Sequence, residues 1–157
     1  MGVRSSSATK GVVGVIIASP LTVYAVGTAY ALTNTPAALD FGTTDPSLTL
    51  TAPGTYRITG FINLKYNGAT FAASRVVTVK LRRTNNTAAD ITNGSVTLDT
   101  DIITTLTYTF STVTWEVIYT TTNSDDAITI FADVGTVPTA GSLDAVAASI
   151  VAHRLQT

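Results

Sequence analysis

The feature that most constrains this chain is an alternation of period two that recurs from residue 48 onward. Tyr56, Ile58, Gly60, Ile62, Leu64 and Tyr66 fall on one face of an extended segment, with Arg57, Thr59, Asn63 and Lys65 on the other, interrupted by Phe61. Val77, Val79 and Leu81 alternate with Thr78, Lys80 and Arg82. Leu106, Tyr108 and Phe110 alternate with Thr105, Thr107 and Thr109. After Ser111-Thr112 a further strand sets Val113, Trp115, Val117 and Tyr119 on one side, and Ile128, Ile130 and Ala132 begin another. Tyr66-Asn67-Gly68, Asn85-Asn86, Asn93-Gly94 and residues 122–126 supply turn chemistry between them, because Asn and Gly accept positive φ. Strands at even spacing with such punctuation predict an all-β sandwich or barrel.

Composition supports the same reading. Threonine makes up about a fifth of the 157 residues, and its β-branched side chain suits a pleated, half-buried surface. Charged residues are only 12%, about half the usual share, so hydroxyls and small residues must cover much of the surface. Desolvating Thr costs less than desolvating Lys or Glu, which suits contact with other subunits. The net charge is −1 and the nine basic residues are dispersed, which argues against nucleic acid as a partner. With no cysteine, disulfides, thiolate zinc sites and thiol nucleophiles are excluded together. The length fits one domain.

The two ends depart from the alternation. Residues 11–25, GVVGVIIASPLTVYA, follow Arg4 and Lys10 and so have the outline of a secretory signal. Gly14 and Pro20 interrupt the stretch, β-branched Val and Ile dominate it, and it is too short for a membrane helix, which needs about 20 apolar residues. We read residues 1–25 as an extended arm and 26–157 as the sandwich domain. The closing segment, residues 145–152, is also apolar on both faces; within 143–151 periodicity alone admits a helix as well as a strand. A strand with two apolar faces needs cover on both, one from its own sandwich and one from a neighbour. Val12, Val13, Val15, Ile16, Ile17, Val146, Ile150 and Val151 are therefore the expected interface residues.

The order of segments, with Ala52-Pro53-Gly54-Thr55-Tyr56 opening the second main strand, resembles the trimeric jelly rolls of the tumour-necrosis-factor and complement-globular-head type. The likeness runs over residues 24–157. It implies an antiparallel jelly-roll β-sandwich that forms a homotrimer, with the first and last strands in the inner sheet near the threefold axis. This sequence lacks the collagen stalk and cysteines of the secreted animal members. Domains of this shape also occur in tailed-phage virions, as capsid decoration proteins, head fibres and fibre tips, and low charge, high Thr and absent Cys suit a virion protein assembled in bacterial cytoplasm.

Chemistry-bearing residues offer little. His153 is the single histidine, and no Gly-x-Ser-x-Gly elbow accompanies it, so a structural or interface role is expected. Glu116 is the single glutamate; Asp99-Thr100-Asp101 and Asp125-Asp126 sit in turns, where oxygen ligands for Ca²⁺ are conceivable but ordinary turn roles are commoner. Arg82-Arg83 reads as a solvated strand edge, and Asn85-Asn86-Thr87 and Asn93-Gly94-Ser95 as chance glycosylation patterns. The expectation is a non-enzymatic protein without cofactor or metal that trimerises on a phage capsid surface, contacting the major capsid protein or neighbouring subunits and neither nucleic acid nor membrane. The alternatives are a fibre tip that binds host glycan and a secreted bacterial jelly roll.

Overall fold

The computed structural model describes residues 19–70, 75–100 and 106–155. These form nine strands: β1 (Leu21–Ala31), β2 (Ala37–Ala38), β3 (Ser47–Thr49), β4 (Gly54–Thr70), β5 (Arg75–Arg83), β6 (Ala89–Thr100), β7 (Leu106–Thr121), β8 (Ala127–Val134) and β9 (Ala140–Leu155). One sheet has the order β1-β9-β4-β7; the other runs β2-β8-β5-β6, with β3 also paired to β8. All pairings are antiparallel. The expected all-β sandwich is therefore what the chain forms, with its strands crossing repeatedly between the two layers.

The alternation read from the sequence is what fills the space between the sheets. Ile58, Ile62 and Leu64 of β4 are fully buried, and Val113, Trp115 and Val117 of β7 are nearly so. They face Val77, Val79 and Leu81 of β5 and Ile128, Ile130 and Val134 of β8 in one continuous core. Leu39, Phe41, Leu48 and Leu50 extend that core from the segment between β1 and β4.

Segment 143–151 is a strand. Its neighbours decide this: β9 pairs along β1 on one side and β4 on the other, Ala148 lying opposite both Ala25 and Ile62. A helix there would leave two strand edges without partners.

Four sequence expectations need correction. Leu21–Ala25, assigned to the arm, pair with Ala152–Ala148 and so belong to the sandwich; residues 1–18 lie outside the described residues. Tyr66-Asn67-Gly68 is not a turn. Strand β4 continues through it to Thr70, and the positive φ of Gly68 (61°) falls where the pairing to β9 and β7 shifts register, so the Asn-Gly signal marks a bulge. Ser111-Thr112 does not end a strand either, because both residues pair within β7 against Leu64 and Asn63. Asn93-Gly94 lies inside β6, in the stretch where β6 carries extra residues between its pairings to Arg82 and Lys80. Asn85-Asn86 and residues 122–126 do form connections, with Asn86 and Thr87 at positive φ.

Candidate functional site on the outer face of the first sheet

One side chain in two along β1, β9, β4 and β7 points away from the core. On the outer face of this sheet, Tyr24 and Phe61 flank Ser149, which both oppose in register. Their rings lie 6.3 Å apart at 50°, and Ser149 is buried beneath them. Val26 opposes Ala147 of β9, and Ile118 opposes Arg57 of β4. Among the described residues five large hydrophobics are exposed, and three of them, Tyr24 (57%), Val26 (51%) and Ile118 (55%), stand on this one face. Tyr24 and Val26, two residues apart on β1, form an apolar patch with Phe61 and Val151, whereas Ile118 stands apart on β7 at the opposite edge of the sheet, and single exposed apolar residues need no explanation.

Part of the charge on this face is self-neutralised. Arg57 donates to Glu116 at 2.7 Å, and hydroxyls fill much of the remainder, Thr55 bonding Thr120 and Thr112 donating to Asn63. The outer face of the second sheet is different. There Lys80 and Arg82 approach Asp90 at 3.2 and 3.8 Å, Arg82 sits 5.5 Å over the Phe131 ring, and burial pushes the Asp133 carboxyl above its ordinary pKa, against the pull of Lys80 and Thr78. The two faces thus differ in kind, one charged and solvated, one apolar and hydroxylated.

The interface residues expected from the sequence are distributed unevenly. Val151 lies half-buried on the outer face, opposite Thr22 and Thr59. Val146 is half-buried where β9 shifts register against β4. Ile150 is a correction: it opposes Gly60, is fully buried in the chain's own core, and has no surface to give a neighbour. Val12, Val13, Val15, Ile16 and Ile17 fall outside the described residues. His153 is on the outer face opposite Arg57, its Nδ1 buried without a hydrogen-bond partner, and no triad surrounds it among the described residues. Sequence reasoning missed Tyr24, Val26 and Ile118, although the break in alternation at Phe61 was a signal of the same face.

The Ala52-Pro53-Gly54-Thr55-Tyr56 motif proves to be a structural clasp. Tyr56 donates its hydroxyl back to the Ala52 carbonyl at 2.7 Å. Arg154, near the end of β9, donates to the Pro53 carbonyl at 2.6 Å. Gly54 has φ 150°, and a Cβ there would sit 2.8 Å from the Arg154 Nε. Only glycine admits both that backbone and that guanidinium.

Next to this clasp, where Thr121 pairs with Gly54 and Tyr119 with Tyr56, a carboxylate is fully enclosed. Asp126 accepts from Thr121 at 2.5 Å, Tyr119 at 2.8 Å, Asn123 at 2.9 Å and Asn86 at 3.1 Å, and Arg83 lies 3.7 Å away. Burial pushes its pKa up, but the donors from Thr121, Asn86, Tyr119 and Asn123 together outweigh burial and hold it at about 2. The same network raises the Tyr119 pKa, first through burial and then through the Asp126 charge and hydrogen bond. Asp126 was a possible calcium ligand by sequence; here its oxygens are committed to side-chain donors, and among the described residues no group of three or more potential metal ligands converges. Next to this network a cavity of about 330 Å³ opens between the edge strands β6 and β7, lined by Arg83, by Ala89, Asp90 and Ile91, and by Ile118, Tyr119 and Thr120.

No protein-family profile matches the sequence, and no curated protein is significantly similar to it. Solved structures do share its shape. The globular domain of the zebrafish complement 1qA protein superposes with a TM-score of 0.53 at 13% identity, over 86% of this chain and 95% of that one. A chain of the infectious bursal disease virus Gx strain structure gives 0.48 at 12% identity, over 87% of this chain and 34% of that one. The fold is thus a jelly-roll sandwich similar to the complement globular head.

Proposed function

We propose that the chain is a non-catalytic structural protein that forms a homotrimer through the β1 side of the outer face of the β1-β9-β4-β7 sheet and decorates the capsid of a tailed phage, with residues 1–18 contacting the major capsid protein or a neighbouring subunit. The observation that carries the assembly reading is the exposed pair Tyr24 and Val26 beside the Phe61 ring on the β1 side of this face. Covering it removes apolar area from water at a gain of roughly 25 cal/mol per Å², while the hydroxyls around it are inexpensive to desolvate. The first and last strands lie side by side in this sheet, which is the arrangement that a trimeric jelly roll requires. Capsid decoration, and with it a place on the virion surface, is supported by the low-charge, threonine-rich surface.

Light scattering on the full chain tests the assembly, with three times 16.3 kDa as the expected mass; a monomer at all concentrations sinks it. Decoration is tested by adding the chain, or a form lacking residues 3–18, to shells of its own particle stripped of it. The full chain is expected to bind and the shortened one to bind more weakly, and equal binding would remove the arm from the proposal. The deletion stops at 18 because Leu21 onward belongs to the sheet. The other expectation, a fibre tip that recognises glycan, has the cavity between β6 and β7 in its favour.

A further inference from the structure

The cavity between β6 and β7 lies at the open side of the sandwich, where each sheet ends in an edge strand. Edge strands present backbone donors and acceptors with no ladder partner. At about 330 Å³ the space is at the small end of ligand pockets and holds one ring-sized molecule. Its apolar walls are Ile91, which is buried, the aliphatic Ile118 and the body of Tyr119.

The polar groups are arranged as fixed, paired charges. Arg83 is held from three directions: its Nε donates to the Thr87 carbonyl at 3.0 Å, its Nη1 to the Tyr119 hydroxyl at 3.4 Å, and the same Nη1 lies 3.7 Å from Asp126. Those contacts use neither hydrogen of Nη2. Asp90 is drawn toward Lys80 and Arg82 yet remains about half exposed. Lys80 and Arg82 share Asp90 while Arg83 has Asp126, so each cation is drawn to a carboxylate, three cations to two, and an anion is the comparison the test must include. What it offers is a guanidinium donor and a carboxylate acceptor at fixed places beside an apolar wall. Adjacent hydroxyls on a ring, each both donor and acceptor, with a C–H face behind them, match that pattern.

We propose that this cleft binds a neutral sugar ring, the terminal residue of a surface glycan, with Asp90 and Arg83 taking its hydroxyls and Ile118, Ile91 and Tyr119 its apolar face. The site lies at the β7 edge, across the sheet from Tyr24 and Val26 on β1, so it goes beyond the assembly reading and does not depend on it.

The test uses the full chain with methyl glycosides of glucose, galactose, mannose and N-acetylglucosamine as probes, and inorganic phosphate as the anionic comparison. Methyl resonances of Ile91 and Ile118 are followed by NMR. At least one glycoside is expected to shift them with a Kd of about 1–10 mM, the range for a single sugar ring held by a few contacts, and phosphate to leave that titration unchanged. Asp90→Asn is expected to weaken binding by about tenfold, the worth of one charged hydrogen bond. Ala89→Trp, at an exposed position on the wall, fills the space and is expected to abolish the shifts; it stands in for Asp90→Asn if that variant fails to fold. Absence of binding by all four glycosides at about 50 mM, well above that range, overturns the proposal. So does displacement by phosphate, or binding that survives Ala89→Trp.

Discussion

A single carboxylate sets the acid limit of this fold. Asp126 is fully buried and takes four side-chain donors from β7 and two loops, so its folded pKa, about 2, lies below the ordinary 3.8. A depressed carboxylate contributes stability that is fully present above its unfolded pKa and is lost as pH falls through the folded one. The contribution is roughly 2 kcal/mol and disappears between about pH 4 and pH 2. Asp133 works in the opposite direction, because burial raises its pKa; its contribution is greatest at low pH and fades as pH rises through the raised value. Urea unfolding across pH 2–7 is expected to show the loss below pH 4. Asp126→Asn is expected to flatten that acid limb and to lower stability by roughly 3 kcal/mol at neutral pH, because it leaves Arg83 uncompensated and turns two amide donors against a third. An unchanged acid limb in Asp126→Asn would assign the pH dependence to other groups.

The elements rest on close approaches that a few glycines permit. Gly60 in the middle of β4 lies under Trp115 of β7, and an added Cβ would sit 2.2 Å from the Ser149 carbonyl and 2.7 Å from the indole. Gly60→Ala therefore has to displace backbone on one side and the buried indole on the other. A loss of about 2–3 kcal/mol is expected, read as a lowered denaturation midpoint and a changed Trp115 fluorescence. The control is Gly68→Ala, whose Cβ meets nothing within 4 Å and whose cost is limited to the strain of φ 61°. Much of β4 was legible because its core face alternates without a gap from Tyr56 to Tyr66. Its end was not, since Asn67-Gly68 has the same local chemistry in a bulge as in a turn, and only pairing to β9 and β7 separates the two. Strand β9 shows the same limit from the other side: its alanines fit helix or strand until β1 and β4 claim both edges. The candidate face was legible at Phe61 and Val151, but Tyr24 and Val26 were hidden in a segment read as an arm and as the start of the domain, and Ile150 was misplaced because one residue decides which face a side chain takes.

At the scale of the whole molecule the two outer faces imply different fates. The second sheet carries Lys80, Arg82 and Asp90, which favour water; the first carries Tyr24, Val26, Phe61 and Val151 on its β1 side, with Arg57 and Glu116 paired beyond them. If three copies close on the apolar face, unfolding releases three chains from one particle and the midpoint depends on protein concentration. A tenfold rise in concentration then stabilises the trimer by about 2.7 kcal/mol at 25 °C, two factors of ten in mass action. Three chains of 157 residues have an unfolding entropy of about 1 kcal/mol/K at roughly 2 cal/mol/K per residue. The midpoint is therefore expected to climb by roughly 3 °C per decade of concentration. Tyr24→Glu places a charge at the centre of the patch on a side chain that is more than half exposed in the single chain, so it spares the fold and costs only the assembly. Its midpoint is expected to be lower and independent of concentration. Scanning calorimetry over two decades of concentration separates the cases: a flat midpoint for the unmodified chain, or an equal slope for Tyr24→Glu, would show that this face is not what holds subunits together.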